Sequence, residues 1–519
     1  MNIELCCAGE VADALGIKLD TLYRYARRGR IRGMKVGKGW RFLQADVQEF
    51  LHAHEYRVKP AQYSQPRPIK PSLLPDILRR AALEWKEEKA IACGGASASY
   101  EDLNQASDRL ADSLLSHGVV PGDRVLILLC NSLEFIAGCF AVWKAGAIVV
   151  AESPSIRDEN LCHIVRDCAP QALMAEREAA ERLNARRHGL ENTRVVYVKD
   201  KKSGLSGLDG VRVASLEAAL TNKSSLSLLR FNSASPDDVA TITYRGGSSG
   251  CAEGVMNTHE NWLAGAAFTG ECHGLTQQDT LLLPVPLHSS LAMRQWLAYV
   301  MAGARIILAG NLEQAVKMMK NRGPSALALS PDGAKRLVQE FATLAQKWDG
   351  SLRRVEIDFT PPEEGEWEPL RRLLPWAAID LNCNLTEAQA AFLRIGADGL
   401  MNGNCRMPPT LTLRLVGEAG REAKRGGTGR ILLTGPGMMK GFWGQTEHQL
   451  RMLEMDGHFL PAGKVPSRLY ARPSPPKAHY GRMLRETLQA AALAMSRKPR
   501  LAGPEDREQI SKNELLTAN

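Results

Sequence analysis

The 519-residue sequence has few of the cysteine spacings that mark metal sites or disulfide frameworks. Its 11 cysteines form no Cys-x-x-Cys pair: Cys6 and Cys7 are adjacent, and Cys162 and Cys168 are six positions apart. This pattern argues against a zinc site and against a disulfide-stabilised secreted domain. It favours reduced thiols, and we expect a cytoplasmic protein.

Long hydrophobic runs are also missing. The most apolar stretch, 125–150, is interrupted by Glu134 and Lys144, so we expect no membrane-spanning helix. The first residues lack a basic segment followed by an apolar one, which argues against a secretory signal. Hydrophobic residues make up 44% and charged residues 24% of the chain, which excludes wholesale disorder.

Proline and acidic residues are unevenly distributed. The segment 24–41 contains eight basic residues and no acidic one, although the net charge of the whole chain is only +9. Such a local basic field is typical of contact with a nucleic acid, and a solvated basic face is the equally weighted alternative. Prolines at 60, 66, 68, 71 and 75 then predict an extended linker.

These patterns divide the chain into four parts: a compact unit at 1–58, a proline-rich linker at 59–75, a large α/β domain at 76–470 and a short C-terminal part at 471–519. In the large domain, apolar runs rich in Val, Ile and Leu alternate with amphipathic segments, which predicts buried and largely parallel strands. The predicted strands are 125–129, 147–151, 194–198, 240–244, 281–285 and 304–309.

The first unit has the pattern of a helix-turn-helix. Helical spacing at 8–15 ends at Gly16, and Asp20 is placed to cap a second helix at 21–28. An alternating segment with a glycine-rich tip at 37–39 predicts a hairpin, and a third helix is expected at 44–51. A small helical cap with basic decoration is the alternative.

The residues of this unit resemble the excisionase-like winged helix-turn-helix family. The match is carried by Glu10-Val11-Ala12, Leu15-Gly16, Thr21-Leu22-Tyr23-Arg24, Arg28-Gly29, Lys35-Val36-Gly37, Trp40-Arg41, Asp46 and Phe50-Leu51. The resemblance implies binding to double-stranded DNA, with the second helix in the major groove and the hairpin as a wing. The expected DNA-binding residues are Thr21, Tyr23, Arg24, Arg27, Arg28, Lys35, Lys38 and Arg41.

The segment 99–147 strongly resembles the acyl-CoA synthetase and adenylation-domain superfamily. The matching positions are Tyr100, Leu103, Gly122-Asp123-Arg124-Val125, Ala141-Val142 and Lys144-Ala145-Gly146. The resemblance implies an adenylate-forming α/β fold, and in that superfamily this segment is scaffold. The fold class expected for the whole chain is therefore α/β, with a small winged helix-turn-helix domain before a large adenylate-forming-type domain.

The loop YRGGSSGCAEGVMNTHEN (244–261) resembles the phosphate-binding loop of that superfamily. Gly247, Ser248, Ser249 and Gly250 are the expected residual nucleotide-binding residues, because backbone N–H groups and hydroxyls of such a turn wrap phosphate. Two departures change its charge. Arg245-Gly246 replaces a Thr-Ser pair, and Glu253 stands where the family has lysine. A carboxylate at about 4 Å from a phosphate charge costs about 4 kcal/mol at an effective dielectric constant of about 20.

A second loop, LNCNLTEAQ, keeps Thr386 and Glu387 of the superfamily motif, in which the glutamate helps to hold Mg²⁺. Cys383 and Asn384 replace the aromatic-glycine pair that precedes it. Without the flanking match, Thr386-Glu387 would be interpreted as a helix start. His288 matches the position beside the acyl pocket, with an ordinary core or surface histidine as the alternative.

The C-terminal part departs furthest from the superfamily. The segment 434–443 fits a scaffold motif, but Gly463 or Lys464 stands where an aspartate grips the ribose hydroxyls, and Arg472 aligns with the arginine that follows. About fifty residues remain for the mobile lid, which is on the order of 100 residues in the family. In the faint match of 508–515, Gln509 replaces the catalytic lysine.

These losses together predict a degenerate catalyst, because each missing electrostatic stabiliser typically costs about 10²–10³ in rate. One hypothesis is a DNA-binding regulator whose large domain senses an acyl group, an acyl-CoA or an adenylate, or serves to dimerise. The alternative is an active carboxylate ligase that uses ATP and Mg²⁺, with Glu387 as the metal ligand and the winged unit as a localising module. No cofactor is assigned under the first hypothesis.

Overall fold

The structure of the protein, a computed structural model, describes residues 73–186, 190–199, 211–222, 234–246, 252–345, 348, 351–358, 368–394 and 430–444, with shorter pieces at 5–8, 11, 22–23, 26, 31, 34–36, 39–43, 405–406, 412–416, 459–460 and 468–470. Two compact units, Met1–Lys70 and Pro71–Asn519, divide the chain.

The first unit contains a three-stranded antiparallel sheet of β1 (Leu5–Cys7), β3 (Gly39–Leu43) and β2 (Met34–Val36), in that order. Val36 pairs with Gly39, so β2 and β3 form the predicted hairpin. Helical residues at 8, 11, 22, 23 and 26 fall within the two predicted helices. The edge strand β1 was not predicted, and the third predicted helix, 44–51, lies outside the described residues.

The second unit contains eleven helices among the residues described. They are α1 (Leu74–Glu84), α2 (Tyr100–Ser116), α3 (Leu133–Lys144), α4 (Asp158–Cys168), α5 (Arg177–Arg186), α6 (Leu216–Thr221), α7 (His259–His273), α8 (Ser290–Met301), α9 (Leu312–Arg322), α10 (Pro331–Ala345) and α11 (Glu368–Leu373). Side chains of Ser99, Ser132, Thr258, Ser289 and Asn311 accept a backbone N–H at the start of their helices.

The strands of this unit are β4 (Lys89–Cys93), β5 (Ala96–Ser99), β6 (Arg124–Leu128), β7 (Ile148–Ala151), β8 (Ala172–Ala175), β9 (Val195–Val198), β10 (Arg212–Ser215), β11 (Val239–Gly246), β12 (Ala252–Thr258), β13 (Thr280–Leu283), β14 (Arg305–Leu308), β15 (Ala326–Leu329), β16 (Arg354–Asp358), β17 (Ala378–Leu385), β18 (Ala388–Arg394), β19 (Cys405–Arg406), β20 (Thr412–Val416), β21 (Arg430–Thr434), β22 (Gly441–Phe442), β23 (Phe459–Leu460) and β24 (Arg468–Tyr470). All six predicted strands are confirmed, as β6, β7, β9, β11, β13 and β14.

Two large sheets and one small sheet organise the second unit. The first large sheet has the order β10-β9-β8-β6-β7-β11-β12-β22, and the second has the order β19-β18-β17-β16-β15-β13-β14-β4-β5. Their central strands are parallel, which accounts for the continuous Val, Ile and Leu runs. Strands β20, β21, β24 and β23 form the small antiparallel sheet.

Helices α3 and α8 meet in the core of the unit. The rings of Trp143 and Trp296 stack with centroids 6.0 Å apart, and both side chains are fully buried. Aromatic pairs of this kind contribute beyond their buried area. These two helices therefore meet at a closely packed centre.

The expected linker ends earlier than the prolines suggested. Helix α1 begins at Leu74, and Pro75 occupies its first turn. Proline is tolerated there because the first helical N–H groups have no partner inside the helix. Within the part of the chain that the structure describes, no helix combines the length and apolar character needed to cross a bilayer.

Candidate functional site

Strands β11 and β12 form the hairpin that carries the phosphate-loop motif. Arg245 pairs directly with Glu253 across the hairpin, and Gly246 pairs with Ala252. The turn between them, 247–251, lies outside the described residues, so Gly247, Ser248, Ser249 and Gly250 stay predictions. The hairpin is closely packed near this turn: a Cβ at Gly254 would lie 2.7 Å from Cγ2 of Ile242, so a larger residue there would force a neighbour to move.

Arg245 is the cation beside the turn of this hairpin. Its Nε lies 2.6 Å from Oε1 of Glu387, and its Nη2 lies 3.6 Å from Oε2 of Glu253. The guanidinium also stacks over the ring of Phe442, 5.3 Å from the ring centre. Arg245, which the sequence places where the family has a threonine, is thus engaged with two carboxylates and an aromatic ring.

Thr386 and Glu387 form the tight turn between β17 and β18. The alternative interpretation, a helix start, is therefore wrong. Three hydrogen bonds fix the turn: Asn257 Nδ2 donates to the Thr386 carbonyl at 3.1 Å, Met439 N donates to the Glu387 carbonyl at 2.9 Å, and Gln389 N donates to the Gly437 carbonyl at 2.9 Å. The hairpin, the turn and the segment 435–442 consequently form one connected structure.

The charges at this place do not fit a magnesium site. One guanidinium and two carboxylates, Arg245 with Glu253 and Glu387, leave a net charge of −1, but Arg245 already neutralises the glutamate that the family uses for Mg²⁺. Hard divalent cations need several free oxygen ligands. Among the described residues, no group of three or more His, Cys, Asp or Glu side chains is placed to hold a metal ion.

The Thr-His-x-Asn motif that follows the hairpin serves as scaffold. Thr258 and Asn261 form a reciprocal capping box at the start of α7, and Asn261 Nδ2 donates to the Pro436 carbonyl at 2.7 Å. His259 Nδ1 accepts the N–H of Leu74 at 3.2 Å, which attaches the start of α1 to α7. Burial lowers the pKa of His259 to about 4, so the ring is a neutral acceptor.

His288 lies in the loop between β13 and α8. It is half-buried, and desolvation lowers its pKa to about 4, so it is neutral near pH 7. Asn131 holds this loop in place: its Nδ2 donates to the carbonyls of Val285 at 2.9 Å and Ala309 at 3.0 Å, and its Oδ1 accepts the N–H of Leu287 at 2.9 Å. The loop position of His288 is thus well defined, and its contact with an acyl group stays a prediction.

Glu152 is a half-buried carboxyl beside the hairpin that sequence reasoning missed. It follows β7, the strand that pairs with β11. Burial raises its pKa to about 7, although hydrogen bonds from the backbone N–H groups of Ser153 and Tyr244 partly oppose this. In the sequence, Glu152 is a single charged residue after an apolar run, and this pattern alone does not predict that it is shielded from water.

A buried polar cluster lies below the Thr386-Glu387 turn and was also missed. His273 Nδ1 lies 3.1 Å from Oε1 of Glu356, and Arg354 Nε lies 3.2 Å from Oδ2 of Asp380. Gln295 donates to Glu356 as well. Arg354, Glu356 and Asp380 sit inside strands, where an alternating pattern would have placed them towards water.

Lys144 was correctly placed as scaffold. Its side chain is fully buried, and its Nζ contacts Asp108 Oδ1 at 2.7 Å, Ser107 Oγ at 2.7 Å, and both the side-chain and main-chain oxygens of Asn104 at 2.8 and 3.0 Å. Desolvation lowers its pKa to about 8. The lysine of the Ala-Val-x-Lys-Ala-Gly motif therefore joins α3 to α2.

The predicted DNA-binding residues are only partly within the described region. Tyr23 is helical and half-buried, and Lys35 and Arg41 lie on the paired strands β2 and β3. The other five predicted residues, Thr21, Arg24, Arg27, Arg28 and Lys38, lie outside the described residues, as do Gly463, Lys464, Arg472 and Gln509.

Two family models match the chain. The model described as AMP-binding enzyme matches residues 78–443, and the one described as helix-turn-helix domain matches residues 8–55. The predicted architecture of a helix-turn-helix domain before an AMP-binding domain is therefore confirmed.

Curated relatives are similar to the large domain at low identity. A 3-hydroxybenzoate–CoA ligase from Aromatoleum sp. is 23% identical over 388 residues, covering 72% of this chain and 71% of the relative. A salicyl-AMP ligase / salicyl-S-ArCP synthetase from Mycobacterium tuberculosis is 26% identical over 405 residues, covering 74% and 69%.

Solved structures of similar fold also include CoA ligases. A long-chain-fatty-acid-CoA ligase from Archaeoglobus fulgidus has a TM-score of 0.66 at 21% identity, covering 77% of this chain and 81% of that chain. The anthranilate CoA ligase AuaEII, solved with anthranoyl-AMP, has a TM-score of 0.65 at 17% identity, covering 77% of each chain. At these identities the likeness shows the fold.

Proposed function

Because the chain belongs to the family of AMP-binding enzymes, we propose that its large domain keeps the family fold but no longer forms adenylates, and that the protein is a DNA-binding transcriptional regulator. The observation that carries this proposal is the contact of Arg245 Nε with Glu387 Oε1 at 2.6 Å, with Glu253 on the other side of the guanidinium. The large domain then acts as a ligand-sensing or dimerising body.

The DNA-binding half of the proposal rests on the N-terminal unit. Residues 8–55 match a helix-turn-helix domain, and the segment 24–41 carries eight basic residues with no acidic one. Lysine and arginine contacts to phosphates supply most of the affinity of such units and make it dependent on salt. A winged unit of this size buries little surface, so we also expect the full chain to bind as a homodimer.

The DNA-binding claim is tested by fluorescence anisotropy of the full chain with duplex DNA over a range of salt concentrations. We expect affinity that falls steeply with salt, and loss of binding by Arg24→Ala combined with Arg28→Ala. A control with the same charge change, Arg336→Ala combined with Arg372→Ala, alters two exposed arginines of the large domain. Equal weakening by both double variants would remove the assignment of the second helix to DNA.

An active ATP-dependent carboxylate ligase is the second candidate, favoured by the activities for which the relatives are named. It is distinguished by pyrophosphate release from Mg-ATP with a panel of carboxylic acids, including 3-hydroxybenzoate, salicylate and a long-chain fatty acid. We expect no release above the level of a boiled sample. Release with any of these acids would show that the large domain is a working ligase.

A further inference from the structure

Leu344 and Trp376 are large apolar side chains on the surface of the large unit. Leu344 is 45% exposed and Trp376 is 42% exposed. Among the residues that the structure describes, Leu83 and Val120 are the other large apolar residues left this open to water. Tryptophan is enriched at surfaces where proteins bind one another. A surface that combines this tryptophan with an exposed leucine is therefore a candidate contact surface.

The two residues lie at the same edge of the second large sheet. Helix α10 leads from β15 to β16, α11 leads from β16 to β17, and these three strands are parallel neighbours. The two helices contact each other, and their buried residues belong to one hydrophobic cluster on one face of the sheet. Because a crossover helix returns to the amino end of the next strand, Leu344 near the end of α10 and Trp376 just before β17 lie at that end together.

Charged residues precede each apolar residue by four and eight positions, and the order of their signs is opposite on the two helices. The two sets are Arg336, Glu340 and Leu344 along α10, and Glu368, Arg372 and Trp376 along α11 and the turn after it. The charged side chains are 41–79% exposed. A spacing of four residues places the members of each set on one side of their helix.

We propose that this α10–α11 face is the interface between two copies of the chain, with α10 of one copy on α11 of the other. A twofold axis parallel to the two helices brings α10 opposite α11 of the second copy, with both running in the same direction. The pairs that then face each other are Arg336 with Glu368, Glu340 with Arg372, and Leu344 with Trp376. The inference rests on the proposed function, in which the full chain binds DNA as a homodimer.

The order of the charges is what favours a second copy as the partner. A nucleic acid or an anionic membrane needs an excess of cations, but Arg336 and Arg372 each have a carboxylate four residues away, at 2.8 Å and 3.2 Å. Under twofold symmetry each complementary contact occurs twice. Exposed ion pairs contribute little to affinity, so the charges select the arrangement and the two apolar residues supply the binding.

The pairing is tested by light scattering of the full chain after size-exclusion chromatography, at micromolar protein. We expect a dimer for the wild type. Arg336→Glu combined with Glu340→Arg places like charges opposite α11 of the second copy and should raise the dimer dissociation constant about 100-fold or more. Adding Glu368→Arg and Arg372→Glu reverses the facing helix as well and should restore the dimer. These three proteins have the same net charge, and each helix keeps an internal ion pair.

The apolar part is tested with Leu344→Ser combined with Trp376→Ser, which should also give a monomer. Leu83→Ser combined with Val120→Ser is the matched control, because it removes two exposed apolar residues elsewhere and should leave the dimer intact. Arg336→Ala combined with Arg372→Ala removes attraction without adding repulsion, so it should stay a dimer at the same concentration. Near-ultraviolet circular dichroism verifies that each variant is folded.

Three results would overturn the interface: a monomeric wild type, a dimer that survives the charge reversal on α10 alone, or a folded fourfold variant that stays monomeric. The DNA titration of the same samples separates this outcome from the proposed function. A wild-type dimer that fails to bind duplex DNA would remove the proposed function and leave the interface. A monomeric wild type that binds DNA would remove the interface and leave the DNA-binding function.

Discussion

Two cations of the large unit, Lys144 and Arg245, differ in how far they are buried and in what their ion pairs connect. Lys144 is fully buried and satisfied by Asp108 and by oxygens of Asn104 and Ser107. Arg245 has 35% of its side chain exposed and links two carboxylates at the base of a loop. The first cation agrees with the family sequence and joins two helices, whereas the second departs from that sequence and changes the charges beside a loop.

The comparison indicates that a buried scaffold residue and a partly exposed site residue differ in how strongly folding depends on their ion pairs. Lys144 depends on its partners, because burying it unpaired would cost several kcal/mol. The partially exposed turn end of the β11–β12 hairpin tolerates a new set of charges as long as each cation meets a carboxylate. A domain can in this way keep its fold while the charges beside one of its loops change.

The largest effect is expected from Lys144→Met. The substitution leaves Asp108 without its buried cation and should lower the free energy of unfolding by about 3–5 kcal/mol. Urea unfolding followed by the fluorescence of the buried tryptophans measures the loss. Lys317→Met, in an exposed pair with Glu313, is the matched control and should leave the transition unchanged. If Lys144→Met lowered the free energy of unfolding by less than about 1 kcal/mol, Lys144 would contribute no more to folding than an exposed ion pair does.

An intermediate effect is expected from His259→Asn, and it depends on pH. The folded pKa of about 4 lies below the unfolded value of 6.5, so the unfolded chain takes up a proton first and the wild type loses stability as pH falls from 6.5 to 4. By linkage the loss at pH 5 is about 2 kcal/mol. Asparagine keeps an acceptor for the Leu74 N–H but does not titrate.

The measurement for His259→Asn is urea unfolding at pH 7 and pH 5. The variant should gain about 2 kcal/mol relative to the wild type between these two values. His288 also has a depressed pKa and titrates in both proteins, so it cancels in the difference. Parallel stability curves would mean that the buried ring of His259 takes up a proton as easily in the folded chain as in the unfolded one.

The smallest effect on stability is expected from Arg245→Met, the same replacement as at Lys144. Because the guanidinium is 35% exposed, its ion pairs should contribute less than about 1 kcal/mol to folding. Urea unfolding under the same conditions gives the direct comparison. A loss as large as that of Lys144→Met would show that Arg245 is part of the scaffold in the same way as Lys144.

The sequence predicted the elements better than the site. Apolar runs such as 125–129 and 147–151 identified β6 and β7, because continuous hydrophobic runs are typical of parallel strands covered on both faces. The hairpin β2–β3 followed from alternation around a glycine-rich tip. Strand β1 was missed because LCC is too short to show a period.

The contacts within the candidate site could be identified only from the tertiary structure. Arg245 and Glu387 are distant in sequence, and their contact depends on how the β11–β12 hairpin approaches the β17–β18 turn. The departure of Glu253 from lysine was visible in the sequence, but its pairing with Arg245 required the strand register. The burial of Glu356 and Asp380 was not predicted, because the sequence pattern of a strand does not distinguish a buried carboxylate from an exposed one.

Asn131 follows β6 of one large sheet and hydrogen-bonds three residues that follow β13 and β14 of the other. The two sheets are therefore expected to open as one cooperative unit, since neither can separate without breaking these three hydrogen bonds. Amide deuterium exchange at Leu287 reports this coupling directly. A small molecule that binds beside His288 should slow the exchange of the Leu287 amide. A chemically diverse library can therefore be screened by measuring the exchange rate of this amide.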